Sequence, residues 1–132
     1  MPGWPSKIYV IDDDASVCKA FVRFAKSAGY PAESFSSGES FLARRDLEPD
    51  AVVVSDIRMP GMDGPKIPVG LRDRGLTLPF IFITAVEDDS MIDEARTQGV
   101  TVLRKPVDGE VLLNAVARAR PGTARNERRM LQ

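Results

Sequence analysis

Four apolar runs in this chain each end on a polar side chain. Lys7 to Ile11 leads into Asp12-Asp13, Ala51 to Ser55 into Asp56, Phe80 to Ile83 into Thr84, and Thr101 to Leu103 towards Lys105. These end groups are far apart in sequence. They fit one site only if the runs are parallel strands lying side by side, because open α/β sheets bind ligands outside the carboxyl ends of their strands. The set is chemically coherent. Clustered carboxylates suit a hard cation, and a hydroxyl with a lysine suits an anion such as phosphate. Mg²⁺-dependent phosphoryl chemistry is the expectation.

Length and composition narrow the alternatives. A chain of 132 residues is one domain with room for a real core. It has no histidine, which excludes a histidine base, a histidine metal ligand and a Ser-His-Asp triad. Cys18 is the only cysteine, so no internal disulfide or cysteine-rich metal site is expected. No apolar run approaches membrane-spanning length and no signal-peptide pattern opens the chain, so a cytoplasmic location is expected. The net charge of -1 gives no nucleic-acid bias, although Arg104 to Gln132 carries seven basic residues against three acidic ones. A solvated last helix and tail account for that stretch.

Periodicity supplies the order of elements. Val17, Phe21, Phe24 and Ala28 repeat at helical spacing before Gly29. Pro31 to Phe35 reads as a weaker strand, and Ser37 as the cap of a helix turning Phe41 and Leu42 inward. Ala51 to Ser55 is apolar without alternation, as in a central strand covered on both faces. Pro60, Gly61 and Gly64 mark a loop, and Pro68 suggests a helix that begins late or is irregular. Asp88 or Asp89 is placed to cap a fourth helix ended by Gly99. Asp108 is placed to cap a fifth helix, with Val111, Leu112, Ala115, Val116 and Ala119 inward. Five strands alternating with five helices argue a parallel sheet with right-handed crossovers and helices on both faces.

The site residues also have plainer readings. One of Asp12, Asp13 and Asp14 is needed to cap the helix from Ala15, and Asp14 is best placed for it. That leaves two adjacent carboxylates, which repel unless a cation gathers them. Asp56 could simply cap its loop, yet an aspartate can also attack phosphorus and hold an acyl phosphate. Thr84 alone is weak evidence, since threonine often ends strands. Lys105, before Pro106, needs a destination, and an anion among the aspartates supplies one.

Four motifs together carry a resemblance: Val10-Ile11-Asp12-Asp13-Asp14, the run Asp56-Ile57-Arg58-Met59-Pro60-Gly61-Met62-Asp63-Gly64, Ile83-Thr84-Ala85 and Lys105-Pro106. Their order and spacing over Lys7 to Ala119 resemble the receiver domain of bacterial two-component response regulators, most of all the nitrogen-fixation regulator type. The resemblance implies a flavodoxin-like, doubly wound sheet of order 2-1-3-4-5. It implies Asp56 as phosphoacceptor, with Thr84 and Lys105 binding the phosphoryl group. It implies Mg²⁺ held by Asp12, Asp13, Asp56 and the carbonyl of Arg58, and a cis Lys105-Pro106 bond. It implies a sensor histidine kinase or phosphotransfer protein as donor, and a homodimer surface on the fourth helix, fifth strand and fifth helix. Such a domain is a phosphoacceptor and not an enzyme in its own right. It contacts neither membrane nor nucleic acid directly, although a DNA-binding domain commonly follows it.

The chain departs from the family pattern at Val102, where an aromatic residue usually stands three before the lysine. A ring that turns inward cannot operate there, so the response is expected to be muted or routed elsewhere, for example through Val86 and Glu87 in the loop after Thr84. Val107 replaces a frequent phenylalanine, and Pro65 and Pro68 alter the start of the third helix. Residues 1–6, with Trp4, are expected to form a loose arm, 7–120 the receiver, and 121–132 a polar tail or linker stub. Two other functions compete: an interaction module freed from phosphorylation, and a haloacid-dehalogenase-like phosphatase using Asp12. The unpaired acidic set argues against the first. The loop after Asp56 and the lack of a cap segment argue against the second.

Overall fold

The computed structural model describes residues 4–85, 89–97 and 101–119, without the side chains of residues 89 and 91. The strands are β1 (Lys7–Ile11), β2 (Ala32–Phe35), β3 (Ala51–Asp56), β4 (Phe80–Thr84) and β5 (Thr101–Arg104). The helices are α1 (Ala15–Ser27), α2 (Gly38–Leu42), α3 (Lys66–Asp73), α4 (Asp89–Thr97) and α5 (Gly109–Arg118). All strand pairs are parallel and the order is β2-β1-β3-β4-β5, as expected. Because β1 and β3 are neighbours, Asp12-Asp13 and Asp56 leave adjacent strand ends together.

Local chemistry sets the helix ends. The Asp14 carboxylate accepts from the backbone N–H groups of Ser16 (2.9 Å) and Val17 (3.3 Å), so Asp14 caps α1. Ser37 accepts from Ser40 N–H at 3.0 Å and Asp108 from Glu110 N–H at 2.8 Å, capping α2 and α5. Each cap satisfies a donor that the helix itself leaves open. Gly29 follows α1 at φ 94°, a left-handed conformation that glycine adopts without steric cost. α3 does not begin late. Pro68 lies in its first turn, where its missing N–H removes no helical bond.

Two apolar layers sandwich the sheet. One packs Tyr9, Ile11, Val53 and Phe82 against Phe41, Ile67, Leu71, Ile92 and Ala95 of α2, α3 and α4. The other packs Ile8, Val10, Val54 and Ile83 against Cys18 and Ala25 of α1 and Leu112 and Val116 of α5. Fully burying a side chain of this size stabilises by ~1.5–3 kcal/mol, so the centre of the sheet is the rigid floor beneath the site.

Three further expectations are corrected. The buried stripe of α1 is Cys18 and Ala25, with Phe21 and Val22 beside them, while Ala28 is the exposed C-cap. Val111 is half exposed, because Leu112 and Val116 define the stripe that α5 turns to the sheet. Residues 4–6 are not a loose arm. Trp4 Nε1 donates to the Val116 carbonyl at 3.2 Å, and Ser6 N donates to the Asp50 carbonyl at 2.8 Å. Asp88, Gly99 and the tail 121–132 lie outside the described residues.

Candidate functional site

The site assembles at the carboxyl ends of β1, β3 and β4 and just after β5. Asp12 is buried directly after β1, Asp13 is exposed beside it, and Asp56 is the last residue of β3. One carboxylate oxygen from each lies within 4.8 Å of the others. Thr84, fully buried, ends β4, and its carbonyl accepts from Lys105 N–H at 2.8 Å. Lys105 therefore starts its excursion tied to Thr84. Its Nζ lies 3.3 Å from Asp56 Oδ2 and 3.7 Å from Asp12 Oδ2. The Lys105-Pro106 peptide is cis, as expected. β5 is a half-exposed edge strand rather than a buried one, and Lys105 is itself only partly buried.

The electrostatics are those of an under-neutralised acidic cluster. Burial pushes the Asp12 carboxyl above its ordinary value. The Asp14 N–H bond to its Oδ1 (2.9 Å) and the Lys105 ammonium oppose this, while Asp56 and Asp13 reinforce it. Burial works to lower the pKa of Lys105, but Asp56 and Asp12 outweigh it and hold the ammonium above its usual value. The Lys105 ammonium thus pairs with two of the three clustered carboxylates, Asp12 and Asp56. This oxygen-only donor set fits a hard divalent cation.

The loop after Asp56 holds that carboxylate in place. Asp63 Oδ1 accepts from Met59 N–H at 3.2 Å, and Gly64 N–H donates to the Ile57 carbonyl at 2.7 Å. Arg58 is exposed at the loop's start, adjacent to the acidic cluster in sequence. Met59 is buried, in keeping with a packing role. Two supporting roles were not read from the sequence. The Cys18 thiol donates to the Asp12 carbonyl at 3.2 Å, from the fourth position after the α1 cap. Gly64 takes the place where any Cβ would collide with the Asp56 carbonyl oxygen. The sequence marks Gly64 as a loop residue and as the end of the Asp56 motif, while its contact with the Asp56 carbonyl is tertiary.

The response regulator receiver domain model matches residues 8–117. The chain belongs to that family. This receiver is 37% identical over 113 residues to the tetrathionate response regulatory protein TtrR of Salmonella typhimurium, covering 85% of the chain and 55% of that protein. Among solved structures, it is similar to FixJ-N with a TM-score of 0.80 at 30% identity, covering 90% of this chain and 94% of that one. It also resembles the Vibrio cholerae chemotaxis protein CheY4, with a TM-score of 0.77 at 26% identity over 86% of this chain and 98% of that one. The fold is flavodoxin-like, of the receiver kind, and the likeness to FixJ-N agrees with the regulator type expected. The receiver spans about half the length of the curated relatives it matches first. No helix among its described residues is long and apolar enough to cross a membrane.

Proposed function

We propose that this receiver takes a phosphoryl group from a kinase phosphohistidine onto Asp56 and uses it to switch protein contacts. The observation that carries the reading is the Lys105 ammonium 3.3 Å from Asp56 Oδ2, beside a cluster of three aspartates whose carboxylate oxygens lie within 4.8 Å of one another. Asp12, Asp13 and Asp56, with the main-chain carbonyl of Arg58, would hold Mg²⁺. When bound, Mg²⁺ supplies charge neutralisation to the oxygens of the transferring group.

An Asp56 carboxylate oxygen attacks phosphorus in line with the departing imidazole nitrogen. The O–P bond forms as the P–N bond breaks, and the nitrogen keeps the electron pair. Lys105 then pairs with the phosphoryl oxygens instead of the carboxylate it faced, and the Thr84 hydroxyl donates to one of them. Water then attacks phosphorus, the Asp56 O–P bond breaks, and the carboxylate is restored with release of inorganic phosphate, so the domain resets itself.

The output is a contact change on α4, β5 and α5. Val111, half exposed on α5, adjoins a groove shared with Thr101, Leu103 and Arg118, a surface suited to a second copy of the domain. Val102 packs partly buried against the layer holding Phe82 and Ile92, and no ring is present to swing from it. The proposed route through Val86 and Glu87 lies outside the described residues.

Intact-mass analysis after incubation with acetyl phosphate, with and without Mg²⁺, tests the reading beside an Asp56→Asn variant. A Mg²⁺-dependent gain of one phosphoryl group, absent from the variant, is expected. No gain in a protein shown separately to bind Mg²⁺ would transfer the assignment to a phosphorylation-independent interaction module.

A further inference from the structure

The free edge of the sheet carries a second feature, which the chemistry at Asp56 does not use. β2 is an edge strand, bonded to β1 alone. In that parallel ladder Ile8 N–H donates to the Pro31 carbonyl and Asp12 N–H to the Phe35 carbonyl. The register pairs Tyr9 with Glu33 and Ile11 with Phe35. Parallel ladders use alternate residues of each strand, so the N–H and C=O groups of Ala32 and Ser34 face away from β1. Ser34 is exposed and Ala32 half-buried, so this edge is open.

α1 overhangs the same edge. A groove runs between them, with Val22 and Ala32 in its floor and Lys19, Arg23 and Lys26 along its helical wall. All three cations are exposed, and no described carboxylate is paired with any of them. Glu33, the one acidic residue lining the groove, is already engaged. Its carboxylate binds Lys7 at 3.1 Å and the Arg44 guanidinium. The groove therefore presents uncompensated positive charge above unsatisfied strand hydrogen bonds. Exposed edges of this kind are normally blunted, and an added strand is the ligand they template.

We propose that this groove binds an acidic peptide segment of a protein partner, added to β2 as a sixth strand with carboxylates on alternate residues. The spacing agrees. Alternate residues of a strand stand about 6.6 Å apart on one face. Lys19 and Arg23 are about 6 Å apart along the helix axis, and Arg23 and Lys26 about 4.5 Å. Main-chain bonds to Ala32 and Ser34 supply affinity and register, and the α1 cations select acidic side chains. A second copy pairing edge to edge would bring two such basic walls together, and the chain's own Arg125, Arg128 and Arg129 carry the wrong sign.

The test uses the 132-residue chain and a labelled, end-blocked nonapeptide alternating glutamate and valine. Its controls are the same peptide methylated at every interior amide nitrogen, and a short oligothymidylate. Fluorescence anisotropy reads affinity and amide NMR shifts read the location. The expected result is binding that shifts the Ala32 and Ser34 amides and weakens at least about tenfold on methylation of the peptide. A similar loss is expected in a Lys19→Glu/Arg23→Glu variant that still takes a phosphoryl group from acetyl phosphate. The proposal is overturned if the peptide does not bind, or if the methylated peptide binds as well. It is equally overturned if the oligothymidylate matches the peptide at the same residues, or if the shifts fall elsewhere. The methylated peptide needs no protein variant, so the outcome stands even if the double substitution fails to fold.

Discussion

Gly64 lies against the main-chain carbonyl of Asp56, the residue proposed as phosphoacceptor. A Cβ at position 64 would collide with that oxygen and come within 2.9 Å of the Phe82 ring, while Gly64 N–H holds the Ile57 carbonyl at 2.7 Å. Neither obstacle is a flexible side-chain end, because Phe82 is fully buried. Gly64→Ala must therefore move the loop or the end of β3. Overpacking of this kind costs ~1–3 kcal/mol, which urea denaturation will read. The rate of labelling by acetyl phosphate should fall as well, because Asp56 shifts relative to Lys105. Unchanged stability and rate would show that the loop yields freely and does not position Asp56.

The acidic cluster predicts how the divalent cation and pH act together. Burial first, then Asp56 and Asp13, hold the Asp12 carboxyl above its ordinary value of 3.8. For a raised carboxyl the sign is clear. Its protonated form favours the fold below the unfolded value, and that stabilisation is lost as pH rises through the folded one. A divalent cation reverses the effect by favouring the ionised form. Mg²⁺ should then raise the melting temperature near neutral pH, with ~2.7 kcal/mol at a hundredfold excess over Kd, and progressively less in acid. Asp13→Asn should weaken Mg²⁺ binding on the order of tenfold or more, since a first ligand matters at least as much as an outer partner. Calorimetric titration at two pH values checks both.

Much of this site was legible in the sequence because each of its groups follows an apolar run or belongs to a motif. Asp12, Asp56 and Thr84 end or follow strands whose residues are buried, and buried parallel strands announce themselves as unbroken apolar runs. The caps Asp14, Ser37 and Asp108 were legible for a similar local reason, since capping is decided within four residues. What escaped was tertiary. The α1 stripe slid by one residue because Phe21, Val22, Phe24 and Ala28 offer several apolar arcs, and only the packed sheet selects Cys18 and Ala25. Pro68 looked disruptive because its place in the first turn depends on where the loop from Asp56 releases the chain. Trp4 looked loose because its partner carbonyl is 112 residues away.

Glu33 gives a second pH prediction, of opposite sign. The Arg44 guanidinium lowers the Glu33 carboxyl below its ordinary value of 4.5, against some opposing burial and with help from Lys7. Stability from a lowered carboxyl is present above the unfolded value and lost as pH falls through the folded one. Acid should therefore weaken the α2 end of the molecule beginning near pH 4.5. Glu33→Gln should remove that part of the acid dependence while leaving neutral-pH stability within about 1 kcal/mol, as for other partly exposed pairs. Urea midpoints of both proteins across the acid range will separate them. Parallel curves would mean that the carboxylate gains nothing from Arg44.

Trp4 ties the start of the chain to α5, and the indole contributes in two ways. Its Nε1 donates to the Val116 carbonyl at 3.2 Å, and its ring packs against the layer that contains Ile8, Leu112 and Val116. Trp4→Phe keeps most of the apolar contact and removes only the donor. A net loss of about 0.5–1.5 kcal/mol is expected. Trp4→Ala removes both, and should cost more than Trp4→Phe by about the transfer energy of a partly buried ring, roughly 1–2 kcal/mol. Because α5 belongs to the proposed output surface, loosening this tether should also change self-association of the phosphorylated protein in sedimentation velocity. If Trp4→Phe and the parent unfold at the same urea concentration, the indole hydrogen bond is no stronger than its exchange with water, and the contact is packing alone.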